Sequence, residues 1–104
     1  MAKKICALTM VRNDEFFLRK WVEYYSAQIG SANLYVYFDG NDQIVPDFCE
    51  GVNVCVRERV PGLVAAADRG RIDFLSSQAA ELLQKYDMVI GTDVDEFLVV
   101  DPAL

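Results

Sequence analysis

The chain contains no histidine at all, which removes Ser-His-Asp and Cys-His catalysis and every imidazole metal ligand from consideration. Any acid–base or metal chemistry must therefore fall to carboxylates. Basic residues are outnumbered, 10 against 16 acidic, for a net charge of -6. That balance argues against nucleic acid as a partner, because a basic surface is the usual footprint of phosphate-backbone binding. Cysteine is sparse and odd in number: Cys6, Cys49 and Cys55 have no Cys-x-x-Cys spacing, so neither a disulfide framework nor a zinc site is indicated. Buried free thiols in a reducing cytoplasmic setting are expected instead. No secretory signal precedes Ile5, and no apolar run approaches the roughly 20 residues that span a bilayer.

What is present fits one globular domain over residues 1–104, with 53% apolar residues, enough for a real core. Strand-like and helix-like segments alternate. Residues 4–11 are apolar nearly throughout, as expected of a strand covered on both faces. Asn13 can cap a following helix whose first turn carries Asp14 and Glu15. Its apolar stripe is Phe17, Leu18, Trp21, Val22, Tyr25 and Ile29, and Gly30 provides the stop. Residues 34–38 read as a second strand ending in the turn-rich Asp39-Gly40-Asn41-Asp42. Residues 52–60 make a third, closed by Pro61-Gly62. Residues 71–86 read as a second long helix with Ile72, Leu75, Ala79, Leu82, Leu83 and Tyr86 along one stripe. This alternation implies an α/β fold, a Rossmann-like, mainly parallel sheet with flanking helices. In such sheets ligands bind beyond the carboxyl ends of the strands, near a switch in strand order.

The most informative stretch is Met88-Val89-Ile90-Gly91-Thr92-Asp93-Val94-Asp95-Glu96-Phe97-Leu98, where three carboxylates interrupt an apolar run. In an extended backbone, residues two apart lie roughly 6.6 Å from each other on one face. Asp93 and Asp95 would point together while Val94 points back into the core. Two hard oxygen ligands suit Mg²⁺ or Mn²⁺, which fill their remaining positions with water and phosphate oxygens. A plain solvated acidic turn is the competing reading, and the apolar residues on both sides weigh against it. Glu96 would face away from the pair, toward an arginine such as Arg12 or Arg71. Arg71, read at the start of the second helix, could hold phosphate or be solvated. Arg12 could pair with Asp14 or Glu15. Phe17, Trp21, Tyr24 and Tyr25 are read as packing residues.

The chain resembles the GT-A glycosyltransferases, especially the family 2-like and family 92-like members. The likeness lies in Met10-Val11-Arg12-Asn13-Asp14-Glu15, Leu18-Arg19-Lys20-Trp21-Val22-Glu23-Tyr24-Tyr25, Tyr35-Val36-Tyr37-Phe38-Asp39-Gly40-Asn41-Asp42 and Tyr86 through Leu98, in that order. It departs at Tyr25, where many relatives carry a histidine, and at Asn41-Asp42, which shortens the usual polar turn. The resemblance implies a nucleotide-diphosphate sugar donor, commonly a UDP-sugar, its diphosphate bridged by Mn²⁺ or Mg²⁺ on Asp93 and Asp95. It also implies that Asp39 contacts the base or ribose and that Arg12 and Asn13 lie in the nucleotide-binding turn. In that family the acceptor site and catalytic base follow the Asp-x-Asp strand, so residues 1–104 are expected to be the donor-binding half of such a domain.

Two other classes fit parts of the pattern: a non-catalytic nucleotide-binding or interaction module, and a haloacid-dehalogenase-like phosphatase. The phosphatase pattern wants a small hydroxyl residue where Phe97 stands and usually places its aspartates after the first strand. Residues 97–100, read as an unpaired apolar sheet boundary, are expected to drive homo-oligomerisation. Sugar-transfer assays of this chain with Mn²⁺ should accordingly give weak or no turnover, and robust turnover would refute that expectation.

Overall fold

The computed structural model describes residues 4–40, 42–57 and 64–94, and for residues 64–72 it describes the backbone alone. Four strands, β1 (Ile5–Val11), β2 (Leu34–Asp39), β3 (Asn53–Arg57) and β4 (Met88–Gly91), form one sheet in the order β3-β2-β1-β4. All three described pairings are parallel. Helix α1 (Glu15–Ile29) joins β1 to β2, and helix α2 (Val64–Leu82) lies between β3 and β4. A short 3-10 turn (Asp47–Cys49) stands in the β2–β3 connection in place of a long helix. The expected α/β class with a parallel sheet is therefore present.

The chain steps one way along the sheet from β1 through β2 to β3, then crosses back to β4 on the far side of β1. Right-handed crossovers in opposite directions must put their helices on opposite faces. The packing agrees. On one face, Ala7, Val11, Val36, Phe38 and Ile90 bury Leu18, Trp21, Val22 and Tyr25 of α1. On the other, Cys6, Leu8, Tyr37 and Val89 meet Phe74, Leu75, Ala79 and Leu82 of α2. Alternation along β1 explains the division, since residues 5, 7, 9 and 11 face one way and 6, 8 and 10 the other. Cys6, Ala7, Leu8 and Thr9 are all within 1% of complete burial, as expected of a central parallel strand.

Several boundaries differ from those read off the sequence. Helix α1 is capped by Asp14, whose Oδ1 accepts from the Phe17 N–H at 3.3 Å, and not by Asn13. Asn13 takes a left-handed conformation (φ 52) that turns the chain out of β1, a role asparagine tolerates, so the cap passes to the next residue. The stop at Gly30 holds: its φ of 90 suits glycine, and its N–H reaches the Ser26 carbonyl at 2.9 Å. Phe17 and Leu83, assigned to apolar stripes, are exposed at the margins of their helices. Helix α2 begins at Val64, because Val64-Ala65-Ala66-Ala67 already favours helix, and it ends at Leu82. Arg71 is therefore two turns inside the helix and not at its start, so the argument from a helix N-terminus does not apply to it. Cys6 and Cys49 are buried, but Cys55 lies exposed on β3. Residues 97–100, with their expected sheet boundary, and Asp95 and Glu96 lie outside the described residues. No described helix is long and apolar enough to cross a membrane.

Burial pushes the Cys6 thiol from 9.0 up to about 11 and the Tyr37 phenol from 10.0 up to about 12. In the unfolded chain both groups lose their protons at the lower values, while the fold holds them protonated. Their contribution to stability is thus complete below about pH 9 and is lost as pH rises toward 11 to 12. The urea midpoint should fall steadily from pH 8.5 to 11, and Cys6→Ala should flatten the first part of that fall; an unchanged slope in the variant would contradict the assignment.

Candidate functional site

The carboxyl ends of β1, β2 and β4 open on one rim, and each releases its chain differently. After β1, Arg12 reaches across to the turn that follows β2. Its Nη1 donates to the Asp39 carbonyl at 2.6 Å, and the guanidinium fork grips the Asp42 carboxylate through two contacts of 3.1 Å. That hydrogen-bonded pair raises the Arg12 pKa further above its already high value. The ion pair, which is partly exposed, contributes little stability on its own. Its effect is geometric, joining two strand ends. Gln43 adds to the joint: its Nε2 donates to the Asp39 carbonyl at 2.9 Å and its Oε1 accepts from the Asn13 N–H at 2.9 Å. The partner of Arg12 is therefore Asp42, and neither Asp14 nor Glu15 as expected.

Gly40 is fixed by the same arrangement. Its φ is 124, its N–H donates to the Arg57 carbonyl at 2.7 Å, and a Cβ there would overlap both Arg12 Nη1 and Asp42 Oδ1. Asp39 itself is 1% exposed. It stands in register with Arg57 on β3, whose guanidinium lies 4.0 Å over the Phe74 ring. A cavity of about 380 Å³ opens beside this turn, walled by Val11, Leu18, Phe38 and Ile44 and rimmed by Asp14, Glu15 and Asp42.

β4 ends at Gly91, so the acidic motif begins after the strand has finished and the extended geometry assumed for Asp93 and Asp95 does not govern it. Val94 does pack against the α1-side core, as read from the sequence. Asp93 is exposed and lines a second opening, of about 280 Å³, together with Leu8, Leu75, Ser76, Ala79, Gly91 and Thr92. This opening lies where strand order reverses, between β1 and β4. Just before Asp93, Thr92 is held from two sides: Trp21 Nε1 donates to its Oγ1 at 2.9 Å, and Thr9 Oγ1 donates to its carbonyl at 2.8 Å.

Of the residues picked from the sequence, Arg12, Asn13 and Asp39 meet at the β1–β2 end of the rim, and Asp93 stands at the β4 end. The side chain of Arg71, like Asp95, lies outside the described residues. Among the described residues no three histidine, cysteine, aspartate or glutamate side chains gather as a metal site. Of the acidic motif, the described part is Asp93, one exposed carboxylate lining the opening beside β4. Sequence reading missed Thr9, Gln43 and Thr92. A lone hydroxyl in the apolar β1 run was the available signal for Thr9; nothing local distinguishes Gln43.

No protein-family model matches the chain, and no curated protein or solved structure shows significant similarity to it.

Gly40→Ala should destabilise the fold by about 1–3 kcal/mol through left-handed strain and displacement of Arg12. Urea unfolding measures this, and a variant as stable as the parent would show that the turn is not fixed in the way described.

Proposed function

We propose that the chain binds a nucleotide-diphosphate sugar, a UDP-sugar in particular, as the donor-binding part of a GT-A glycosyltransferase. The observation that carries this reading is the placement of Asp93 just past β4, across the strand-order switch from the Arg12-Asn13 turn and the Asp39-Gly40 turn. Polar residues from three strand ends thus share one rim of a parallel sheet. Ligands of such sheets dock there.

In this reading the diphosphate lies along the rim, and Asp93 with Asp95 holds a Mn²⁺ or Mg²⁺ ion. When bound, the ion neutralises charge developing on the departing diphosphate. The net charge of -6 supports a metal bridge, since the protein by itself repels a polyanion. So does the engagement of Arg12 with Asp42, which leaves its guanidinium little freedom to take up phosphate. The cavity beside Val11, Leu18 and Phe38 accepts the nucleobase, with Asn13 in its lining; the Asp39 side chain is buried and outside that lining, so its assignment to the base or ribose rests on the resemblance alone. A phosphatase of the haloacid-dehalogenase type is less well supported, because its nucleophilic aspartate follows the first strand, and there this chain has Arg12. A non-catalytic nucleotide-binding module would use the same rim.

Calorimetry with UDP, with and without Mn²⁺, tests the proposal. Binding should require Mn²⁺ and should weaken at least about tenfold in Asp93→Asn, as expected on losing a metal ligand. UDP binding indifferent to Mn²⁺, or absent, would overturn it.

A further inference from the structure

We propose that the protein carries a second binding site, for a phosphate monoester, at the end of the sheet opposite the rim and between Lys4 and Lys85. A cavity of about 690 Å³ opens there, larger than either opening on the rim. The register of the sheet makes room for it. Along β1, pairing with β4 begins at Ile5 but pairing with β2 begins only at Ala7, so the start of β1 has a ladder neighbour on one side alone among the described residues. Ile5 and Ile29, the last residue of α1, give the space its apolar wall, and Tyr86, two residues before β4, lines it as well.

Charge sets this cavity apart. Carboxylates line both rim openings, Asp14, Glu15 and Asp42 in one and Asp93 in the other. Here the charged lining is Lys4 and Lys85, with no carboxylate. In a chain with 16 acidic and 10 basic residues, that is a local reversal of sign. Neither ammonium forms an ion pair among the described residues. Two features oppose an anion: Asp87, outside the lining, accepts from the Lys4 N–H at 2.8 Å, and the end of α1 carries about half a negative charge. The second is blunted by capping, since the Gly30 N–H takes the Ser26 carbonyl at 2.9 Å and Asn33 Nδ2 takes the Ile29 carbonyl at 2.7 Å. Two whole positive charges in the lining exceed what remains.

Neutral donors complete the site. The Tyr86 hydroxyl donates to Asn33 Oδ1 at 3.1 Å, which with the Ile29 bond fixes the Asn33 amide and leaves one of its two hydrogens for a ligand. Gln28 brings a second amide to the lining. A phosphate monoester matches this set: its dianionic head engages both lysines and the amides, and its organic part lies along Ile5 and Ile29. No metal is required, and the site owes nothing to the ligand bound at the rim.

Titration with inorganic phosphate and with phenyl phosphate at constant ionic strength, read on the side-chain amide resonances of Gln28 and Asn33, provides the test. Both anions should give saturable shifts, and phenyl phosphate should bind at least about threefold more tightly because its ring covers apolar surface. Lys4→Gln and Lys85→Gln, at exposed positions, should each weaken binding by about threefold to fivefold, the upper range for one solvated charge contact. Lys20→Gln on α1 removes the same charge away from the cavity and should stay within about twofold of the parent. Shifts that do not saturate, phenyl phosphate binding no more tightly than phosphate, or a loss in Lys20→Gln equal to that in Lys85→Gln overturns the site.

Discussion

Burial of β1 on both faces is the constraint from which the rest follows. A strand with little access to water satisfies its backbone N–H and carbonyl groups on its neighbours, β2 over residues 7–11 and β4 over residues 5–8. The two neighbours end at different levels: β2 runs beside β1 as far as Phe38 opposite Val11, and β4 only to Gly91 opposite Leu8. The rim is consequently stepped. β2 delivers Asp39 and Gly40 level with Arg12, whereas β4 stops a few residues short and leaves a recess at the strand-order switch. The unequal lengths create the opening that Asp93 lines.

Across this step the protein uses two kinds of fastening. At the β1–β2 end the joint is charged and partly wet, an arginine fork on Asp42 with Gln43 beside it. At the β4 end the joint is neutral and part-buried, two hydroxyls and an indole. Salt screens the first and hardly touches the second. The joint after β2 is therefore the more salt-sensitive side of the rim, and the one at Thr92 the less so.

Much of this was legible in the residues because burial writes a strong pattern. The apolar run of β1, the spacing of Leu18, Trp21, Val22 and Tyr25, and the glycine at position 30 each have one dominant physical cause, and the fold class and three strand ends followed from them. The misreadings arise where causes compete. Asn13 and Asp14 are both good caps, and a left-handed turn decided between them. The early start of α2 was obscured by Pro61 and Gly62, which suggested a longer loop. The Arg12–Asp42 pair joins residues 30 apart whose meeting depends on sheet order, which no local pattern encodes. Thr92 could not be singled out for the same reason: its partners lie 71 and 83 positions away.

Among the described residues β3 pairs with β2 alone and is thinly covered, with Val54, Cys55 and Val56 all exposed. Such a strand is among the first to breathe, opening at a free energy well below that of global unfolding. Yet the carbonyl of Arg57 at its end is what the Gly40 N–H holds. Fraying of this margin would therefore slacken the turn after β2, so the stability of that turn is coupled to the edge of the sheet.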